Sequence, residues 1–412
     1  MTTREVRPVT EEEWPAFVRT DQTAFGSLPS EEDVAADRRP FDIDRSVAVF
    51  EDGRVVGAAA AFDFDLTLPG LTTSAAAGVT WVGVLPTHRR KGVLSALMRH
   101  QLDDVRERGE PLAILLASES VIYGRFGYGL ATMQAEYELP RQYRALARPH
   151  EPAGRVVLVD EDEARKVLPD VHERVRRLQP GDVSRPDGWW NQFFRNSKRS
   201  GTAGARFYVV YEGASGEVEG YAYYRVGTGG QSIGSTEWTA MVQGLGATTH
   251  DAYLSLWMYV TDIDLTYKTT TLSRPIDEPL RYLLADPRRL RATNVSDFLW
   301  CRIVDLPSAM SARRYSTADR FVLDVADPFC PWNEGRWVVE GNADGASCTA
   351  ASSTDDPDLV LGANDLGAVY LGGTRLASLV RAGRVEERTP GAAHRGDLFF
   401  QGSTQPYCQT FF

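Results

Sequence analysis

One stretch, residues 78–102, constrains the fold more than any other part of the chain, because three different local signals follow one another in it (GVTWVGVLPTHRRKGVLSALMRHQL). Residues 79–85 are rich in β-branched and aromatic side chains and carry no charge, which predicts a buried strand that Pro86 ends. From Val93 onward, apolar residues recur at the spacing of one helical face. The stretch therefore predicts a strand, a basic loop and an amphipathic helix in direct succession.

The loop between strand and helix carries His88, Arg89, Arg90, Lys91 and Gly92. The start of a helix presents unpaired N–H groups and the positive end of a dipole, which suits a phosphate. Gly92 has no Cβ, so backbone can approach a pyrophosphate closely. RRKG by itself is equally typical of a solvated basic turn, but the strand before it and the apolar helix after it favour the phosphate site. The loop contains neither GxxxxGK[ST] nor a GxGxxG that follows a strand.

The pattern VxVxPxxRRxG, from Val82 to Gly92, resembles the acetyl-CoA pyrophosphate loop of the GNAT N-acetyltransferases. PTHRRKGVL and the downstream IYGRFGYG narrow the resemblance to the Eis (enhanced intracellular survival) subfamily, although Leu94 stands where many GNATs have a small residue. The resemblance implies acetyl-CoA as cosubstrate and no metal; no HExxH or paired histidine set is present. The implied cofactor contacts are Val82, Gly83, Val84, His88, Arg89, Arg90, Lys91, Gly92, Val93, Ser118 and Glu119, with His88 as a loop contact and not a base.

A second apolar strand is predicted at residues 111–117 (PLAILLA). It follows the helix, so we expect it to lie parallel to the strand at 79–85. Parallel strands that splay apart leave a slot between them, and the resemblance implies that this slot holds the pantetheine arm. Other expectations nearby are a helix at 11–25 capped by Thr10 and one strand over 129–139.

The 412 residues should form two or three domains. A strand, helix, hairpin, strand and helix recur after a Pro- and Arg-rich linker at 140–154, with the second central strand at 235–245 and a hairpin turn at 227–230. The loop at 244–250 has glycines but no Arg or Lys, so it should not hold CoA. A strand at 301–306 and a helix at 307–314 should begin a third unit, in which DLVLGANDLGAVYLGG resembles the sterol-carrier-protein fold.

We therefore predict an α/β (α+β) protein with two tandem GNAT-type mixed-sheet domains, the second degenerate, and an α+β sterol-carrier-protein-like domain. The predicted boundaries are 1–139 for the catalytic domain, 140–298 for the degenerate one and 299–412 for the last.

Tyr123 lies in SESVIYGRFGYG, where three glycines predict a turn and not a long helix. The resemblance implies that Tyr123 protonates the departing thiolate. The alternative is a core aromatic residue whose hydroxyl is satisfied locally.

The chain ends in PYCQTFF, whereas termini are commonly polar. Phe411 and Phe412 are predicted to bury together. The resemblance implies that the α-carboxylate of Phe412 enters the active site as the base; the alternative is a tail packed for stability alone. Glu119, Asp63 and Asp65 are alternative bases or amine-binding acids, each also explained as a solvated surface residue.

The function implied is direct acetyl transfer to a primary amine of the aminoglycoside, lysine side-chain or polyamine type. The alternative is a carrier of hydrophobic ligands that uses the last domain, with the GNAT fold as scaffold. The net charge of −11 attracts a cationic substrate and argues against nucleic acid. The resemblance also implies a homohexamer.

The start of the chain has no signal-peptide core, and no apolar run approaches the length of a membrane span. We therefore expect a cytoplasmic protein, with secretion by a route without a signal peptide left open. Cys301, Cys330, Cys348 and Cys408 are far apart and form no CxxC, so we expect free buried thiols.

Overall fold

The computed structural model describes residues 4–38, 42–197, 204–228, 238–352 and 354–412. The elements up to residue 130 are β1 (Arg4–Arg7), α1 (Trp14–Ala24), α2 (Glu31–Asp37), β2 (Ser46–Glu51), β3 (Arg54–Thr67), β4 (Thr73–Val84), α3 (Val93–Glu107), β5 (Leu112–Leu116), α4 (Ser120–Tyr123) and β6 (Gly129–Leu130). The elements of residues 133–297, called the second unit below, are β7 (Met133–Pro140), β8 (Arg155–Val159), α5 (Glu161–Arg176), α6 (Asp187–Ser197), β9 (Arg206–Glu212), β10 (Val218–Thr228), β11 (Trp238–Ala247), α7 (His250–Thr261), β12 (Thr266–Thr271), α8 (Leu280–Leu283) and β13 (Arg291–Asp297). The remaining elements are β14 (Leu299–Ile303), α9 (Leu306–Ala312), β15 (Asp319–Ala326), β16 (Gly335–Gly341), β17 (Ala346–Ala350), β18 (Leu359–Gly362), α10 (Ala363–Tyr370), α11 (Leu376–Arg381), β19 (Glu386–Glu387) and α12 (Ala392–Phe400).

These strands form three mixed sheets. The first has the order β1-β2-β3-β4-β5-β14-β6, the second β13-β7-β12-β11-β10-β9-β8, and the third β17-β16-β15-β18-β19. The predicted mixed-sheet α/β architecture is therefore confirmed. Within the described residues, no helix is both long enough and apolar enough to cross a membrane.

The parallel pairing predicted for the two apolar strands is confirmed. β4 and β5 run parallel, and their pairing extends from Ala76 opposite Leu112 to Val79 opposite Leu115. β4 continues to Val84, whereas β5 ends at Leu116, so the two strands part beyond Val79. The parting of β4 and β5 opens one end of the first sheet, and the candidate site lies there.

The second unit is an insertion in the first sheet. β14 follows the second unit in sequence, yet it lies between β5 and β6, antiparallel to both. The two ends of the insertion meet, because Phe298 N donates to Thr132 O at 3.0 Å and Leu299 N donates to Thr132 Oγ1 at 3.0 Å.

This arrangement corrects two expectations. The strand predicted at 301–306 belongs to the first sheet and not to the third unit. The single strand predicted at 129–139 is two strands in different sheets, because the intervening Ala131 and Thr132 N–H groups both donate to Leu299 O (2.9 and 3.0 Å). The edges of the sheets therefore do not coincide with the predicted boundaries at 139 and 298.

The start of α1 also differs from the expectation. Thr10 does not cap the helix, which begins at Trp14 with Glu13 as an N-cap that makes no side-chain cap hydrogen bond. The Glu13 carboxylate instead accepts the backbone N–H of Thr10 at 2.9 Å and pairs with Arg7 at 2.8 Å. The hydrogen bonds from Arg7 lower the pKa of Glu13 to about 2.

The third sheet is joined to the first by close backbone packing and a buried ion pair. A Cβ on Gly129 of β6 would lie 1.9 Å from Asn364 O in α10, so only glycine allows this approach. Arg302 of β14 and Asp327 pair at 2.7 Å with side chains that are 0% and 1% exposed. The four cysteines are free and buried, as predicted.

Candidate active site

The basic loop leaves the start of α3 open. Gly92 precedes the helix with φ 79° and no side chain caps the first turn. Among the described residues, the atom nearest to a Cβ built on Gly92 would be Arg4 Nη1 at 3.8 Å, so the backbone at Gly92 is not crowded by its neighbours. The side chains of Arg89, Arg90 and Lys91 are exposed there. Uncapped N–H groups, a dipole end and cations together suit an anion.

The remaining loop residues have structural contacts. His88 Nδ1 lies 2.8 Å from Thr87 Oγ1, and His88 Nε2 lies 3.4 Å from a Glu51 carboxylate oxygen. Arg89 also donates to Ala24 O at 2.9 Å, which ties the loop to α1. Val93 packs into the core, so only its backbone faces the loop.

The equivalent position in the second unit is closed. The start of α7 is capped by Thr249, whose hydroxyl accepts the backbone N–H of Ala252 at 3.2 Å. At α7 the Thr249 hydroxyl thus already supplies the hydrogen-bond acceptor that a phosphate oxygen would supply at the start of α3. The expectation that the loop at 244–250 does not hold CoA stays a prediction.

A β-bulge interrupts β4 where it leaves β5. Ala60 pairs with Thr80 and Ala58 pairs with Gly83, so Trp81 and Val82 stand opposite the single residue Ala59. Trp81 has φ 55°, in the left-handed region. A bulge takes one residue out of the hydrogen-bond ladder, which frees a backbone N–H at this point of the strand.

The predicted contacts on β4 have different surroundings. Val82 lines a cavity beside the bulge. Gly83 is covered by α1, since a Cβ there would lie 2.9 Å from Asp21 Cα, and Val84 pairs with Gly57 of β3.

The cavity has a volume of about 480 Å³ and lies where β4 and β5 part. Its wall comes from six regions of the chain: the end of α1 and the residue after it (Asp21, Phe25), β3 (Phe62), β4 (Val79, Thr80, Trp81, Val82), the end of β5 and the residues after it (Leu115, Leu116, Ala117, Ser118, Tyr123), the second unit (Trp189, Gln192, Phe193, Arg206) and the C-terminus (Phe411, Phe412). The structure thus brings together the predicted residues Tyr123, Phe412, Val82 and Ser118. Glu119 is exposed and directly follows Ser118, which lines the cavity.

Tyr123 is 5% exposed and packs edge-on against Tyr128, with ring centroids 6.0 Å apart. Among the described residues its hydroxyl has no hydrogen-bond partner, so the hydroxyl is not satisfied locally. Burial raises the pKa of Tyr123 to about 12, and the negative charges of Asp21 and Glu119 add to the rise. The phenol therefore stays protonated at neutral pH and is available as a donor.

The C-terminal tail, residues 405–412, is anchored on the second unit. Trp189 Nε1 donates to Phe411 O at 2.9 Å, and Arg185 Nε donates to Thr410 Oγ1 at 2.9 Å. The ring of Phe412 packs edge-on against Phe64, with centroids 5.0 Å apart. Phe411 is 74% exposed, so the expected joint burial of the two rings is wrong for Phe411.

The buried carboxylate of Asp182 also holds the tail, at Gln409 and Thr410. Asp182 Oδ1 accepts the Gln409 N–H at 3.2 Å and the Thr410 hydroxyl at 3.3 Å. Burial raises the pKa of Asp182, and the nearby Arg185 opposes that rise. Three consecutive tail residues, Gln409 to Phe411, are therefore fixed by hydrogen bonds to the second unit.

The alternative acids are solvated. Asp63, Asp65 and Glu119 are exposed, and Asp65 lies 3.7 Å from Arg176. The groove of about 490 Å³ on the third sheet is lined by Ala and Gly residues together with charged side chains, among them Asp319, Arg320 and Glu340.

The sequence interpretation missed Asp21 and the residues that the second unit contributes: Trp189, Gln192, Phe193 and Arg206. The first three of the second-unit residues lie on or beside α6, which was not predicted. A signal for this helix was present in DGWWNQFFRN, where aromatic residues at 189, 190, 193 and 194 follow helical spacing.

Comparisons with known proteins agree with this architecture. Residues 5–131 and residues 181–303 each match a family model described as an acetyltransferase (GNAT) domain, and residues 306–409 match one described as a sterol carrier protein domain. The chain is 32% identical to the N-acetyltransferase Eis of Mycobacterium tuberculosis, over 95% of each chain. It is 39% identical to an uncharacterized N-acetyltransferase of Streptomyces coelicolor, over 98% of each chain.

Solved structures extend the comparison. The crystal structure of Eis1 from Mycobacterium abscessus has a TM-score of 0.89 at 33% identity, covering 99% of this chain and 100% of that one. A GCN5-related N-acetyltransferase from Anabaena variabilis has a TM-score of 0.85 at 17% identity, with both chains fully covered, which indicates a shared fold.

Proposed function

Since the chain belongs to the Eis family of GNAT N-acetyltransferases, we propose that it transfers the acetyl group of acetyl-CoA directly to a primary amine. The candidate acceptors are of the aminoglycoside, lysine side-chain or polyamine type. One observation carries the proposal: Tyr123 and Phe412, which lie far apart in the sequence, line a single cavity where β4 and β5 part.

The residues near the cavity fit the cosubstrate. The open start of α3, with Gly92, Arg89, Arg90 and Lys91, suits the pyrophosphate, and the bulge at Val82 offers backbone groups to the arm that would follow. When bound, acetyl-CoA supplies an acetyl group activated as a thioester.

The proposed chemistry assigns each step to a group of this chain. A neutral amine attacks the carbonyl carbon while the N–H near Val82 hydrogen-bonds the carbonyl oxygen, where negative charge develops. The Phe412 carboxylate accepts the amine proton, directly or through water, and Tyr123 donates a proton to the sulfur. The C–N bond forms, the C–S bond breaks, and one proton is removed and one supplied.

Transfer is tested by following thiol release from acetyl-CoA together with the mass of the amine. We expect one thiol released for each acetyl group gained by the amine. Thiol release that the amine does not accelerate, with no acetylated product, would refute the proposal.

The proposal includes a homohexamer, which rests on family membership. Sedimentation velocity at the concentrations used for kinetics should give a single species of six chains; a stable monomer would contradict it.

A further inference from the structure

The second sheet opens in the same way as the first. β11 and β12 run parallel, and their pairing extends from Trp238 opposite Thr266 to Val242 opposite Thr271. β11 continues to Ala247, whereas β12 ends at Thr271, so these strands part as β4 and β5 do. The opening, called the second crevice below, lies at the carboxyl ends of the two strands, where open α/β sheets commonly bind their ligands.

The second crevice is filled by an arginine and by the C-terminal tail. Arg274 is 5% exposed; its Nη1 donates to Leu245 O of β11 at 2.7 Å, and its Nε lies 2.6 Å from a Glu278 carboxylate oxygen. Tyr407 and Gln409 of the tail line the cavity of about 210 Å³ that remains there, together with Leu245 and Arg274. Part of the tail therefore lies in the second unit where the first unit has its candidate site.

Tyr407 is the aromatic anchor of the tail. It is 3% exposed, its backbone N–H donates to Pro180 O at 2.9 Å, and its hydroxyl donates to Ser273 O at 2.8 Å. A Cβ on Gly181 would lie 3.0 Å from Tyr407 N, so the tail backbone approaches the second unit closely. A buried tyrosine with a satisfied hydroxyl is typical of the residues that dominate binding at protein interfaces.

Hydrogen bonds continue on both sides of this anchor. Gln179 Nε2 donates to Gln405 O at 2.9 Å, and Gln409 Nε2 donates to the Tyr221 hydroxyl at 2.8 Å. Among the described residues, the hydrogen bonds between residues 405–411 and other parts of the chain all reach the second unit. The second unit thus holds both the backbone and the side chains of the tail, as a peptide-binding site holds its ligand.

The segment that joins the tail to the third sheet is a short exposed linker. α12 ends at Phe400, and the side chains of Ser403 and Thr404 are exposed. Within the described part of the chain, residues 402–404 take part in no hydrogen bond. The hydrogen bonds that fix the tail therefore come from the second unit and not from the linker.

We propose that the second unit is a peptide-binding site for the chain's own tail, residues 405–412, and that this peptide carries its terminal carboxylate into the active-site cavity even when the linker is cut. The tail spans both openings: Tyr407 and Gln409 line the second crevice, and Phe411 and Phe412 line the cavity where β4 and β5 part. This inference rests on the proposed acetyl transfer and gives the second unit a role in it.

The test cuts the linker in the folded, full-length protein. A protease recognition sequence is inserted between Ser403 and Thr404, because exposed linkers tolerate insertions. Activity is the mass gain of spermidine or of a 2-deoxystreptamine aminoglycoside. With excess synthetic peptide of residues 404–412, the cut protein should keep kcat within twofold of the uncut protein. The same peptide with a C-terminal amide should lower kcat of the cut protein at least tenfold. The uncut protein should change less than twofold, because a tethered tail competes at an effective concentration of about millimolar.

Release of the native tail from the cut protein is measured separately, by size exclusion and mass spectrometry. The matched control is the amide peptide with Tyr407→Ala, which should release the tail only at concentrations at least tenfold higher. No release by the amide peptide, equal release by the Tyr407→Ala peptide, or a cut protein that the carboxylate peptide cannot keep active would overturn the inference and leave acetyl transfer standing.

Two other outcomes separate the inference from the proposed function. Release of the tail with undiminished activity would refute the Phe412 carboxylate as base and retain the peptide-binding site. An uncut protein that acetylates neither amine would count against the proposed function, and the release of the tail would still decide whether the second unit binds it as a separable peptide.

Discussion

Appending one glycine after Phe412 should remove most of the activity without detaching the C-terminal tail from the second unit. The added residue moves the terminal carboxylate by as much as about 3.3–3.8 Å along the chain, which exceeds the reach of a hydrogen bond to the amine. The anchors lie upstream of the change: Trp189 holds Phe411 O and Arg185 holds the Thr410 hydroxyl, each at 2.9 Å. The extension therefore displaces the proposed base and keeps the rest of the tail in place.

A positioned general base contributes about 10²–10⁴-fold to a rate. At about 1.36 kcal/mol for each tenfold change, the extended protein should lose roughly 2.7–5.4 kcal/mol of transition-state stabilisation. We expect the loss in kcat, with KM for acetyl-CoA within about twofold of wild type, because the pyrophosphate site at α3 is untouched.

Phe412→Ala is the matched variant, since it keeps the carboxylate and removes the ring that packs on Phe64. It should lose less activity than the extension. Both rates are measured by thiol release and product mass across a range of acetyl-CoA concentrations. Wild-type kcat in the extended protein would refute the carboxylate as base, and a greater loss in Phe412→Ala would assign the role to the ring.

Three further predictions follow from single sites. Tyr123→Phe should lower kcat about 10²-fold. Because burial raises the pKa of Tyr123 to about 12 and the acid acts in its protonated form, the kcat of the wild-type protein should not decline as the pH rises to 10. A decline of kcat with a midpoint below pH 10 would contradict this role. Gly92→Val should raise KM for acetyl-CoA at least tenfold. Gly109→Val is its control, because Gly109 follows α3 with a similar φ (74°, against 79° for Gly92) and has open space around it; this variant should carry similar backbone strain and leave KM unchanged. An equal rise of KM in both variants would contradict a phosphate site at Gly92. Asp327→Ala leaves a buried guanidinium unpaired and should lower the free energy of unfolding by about 3–5 kcal/mol in urea titrations; a loss under 1 kcal/mol would show that the ion pair matters little.

The elements around the phosphate loop were predictable because their signals are local. Residues 79–102 contain the apolar strand, its terminating proline, the glycine and the helical period within one short stretch. The parallel pairing of β4 and β5 followed from the helical crossover between them. The start of α1 was predicted three residues too early, because sequence patterns place the ends of helices less reliably than the helices themselves.

The cavity wall was less predictable, since it is built from residues far apart in sequence. Nothing in the residues around Trp189 or Arg206 indicates that they lie beside Tyr123, more than sixty positions away. The position of β14 in the first sheet was missed for the same reason: its apolar pattern predicts a strand but not a partner. The roles of Tyr123 and Phe412 came from the family resemblance and stay predictions.

The hydrogen bond from Phe298 N to Thr132 O has a consequence for protein engineering. Because the two ends of the second unit lie 3.0 Å apart at this bond, a short linker from residue 132 to residue 298 would bypass the whole insertion and still deliver β14 to its place beside β5. The excised piece would have adjacent ends, the geometry that circular permutation requires. The deletion would also remove Trp189, Arg185 and Asp182, so the shortened protein would keep its first sheet and lose the support for its own last residues.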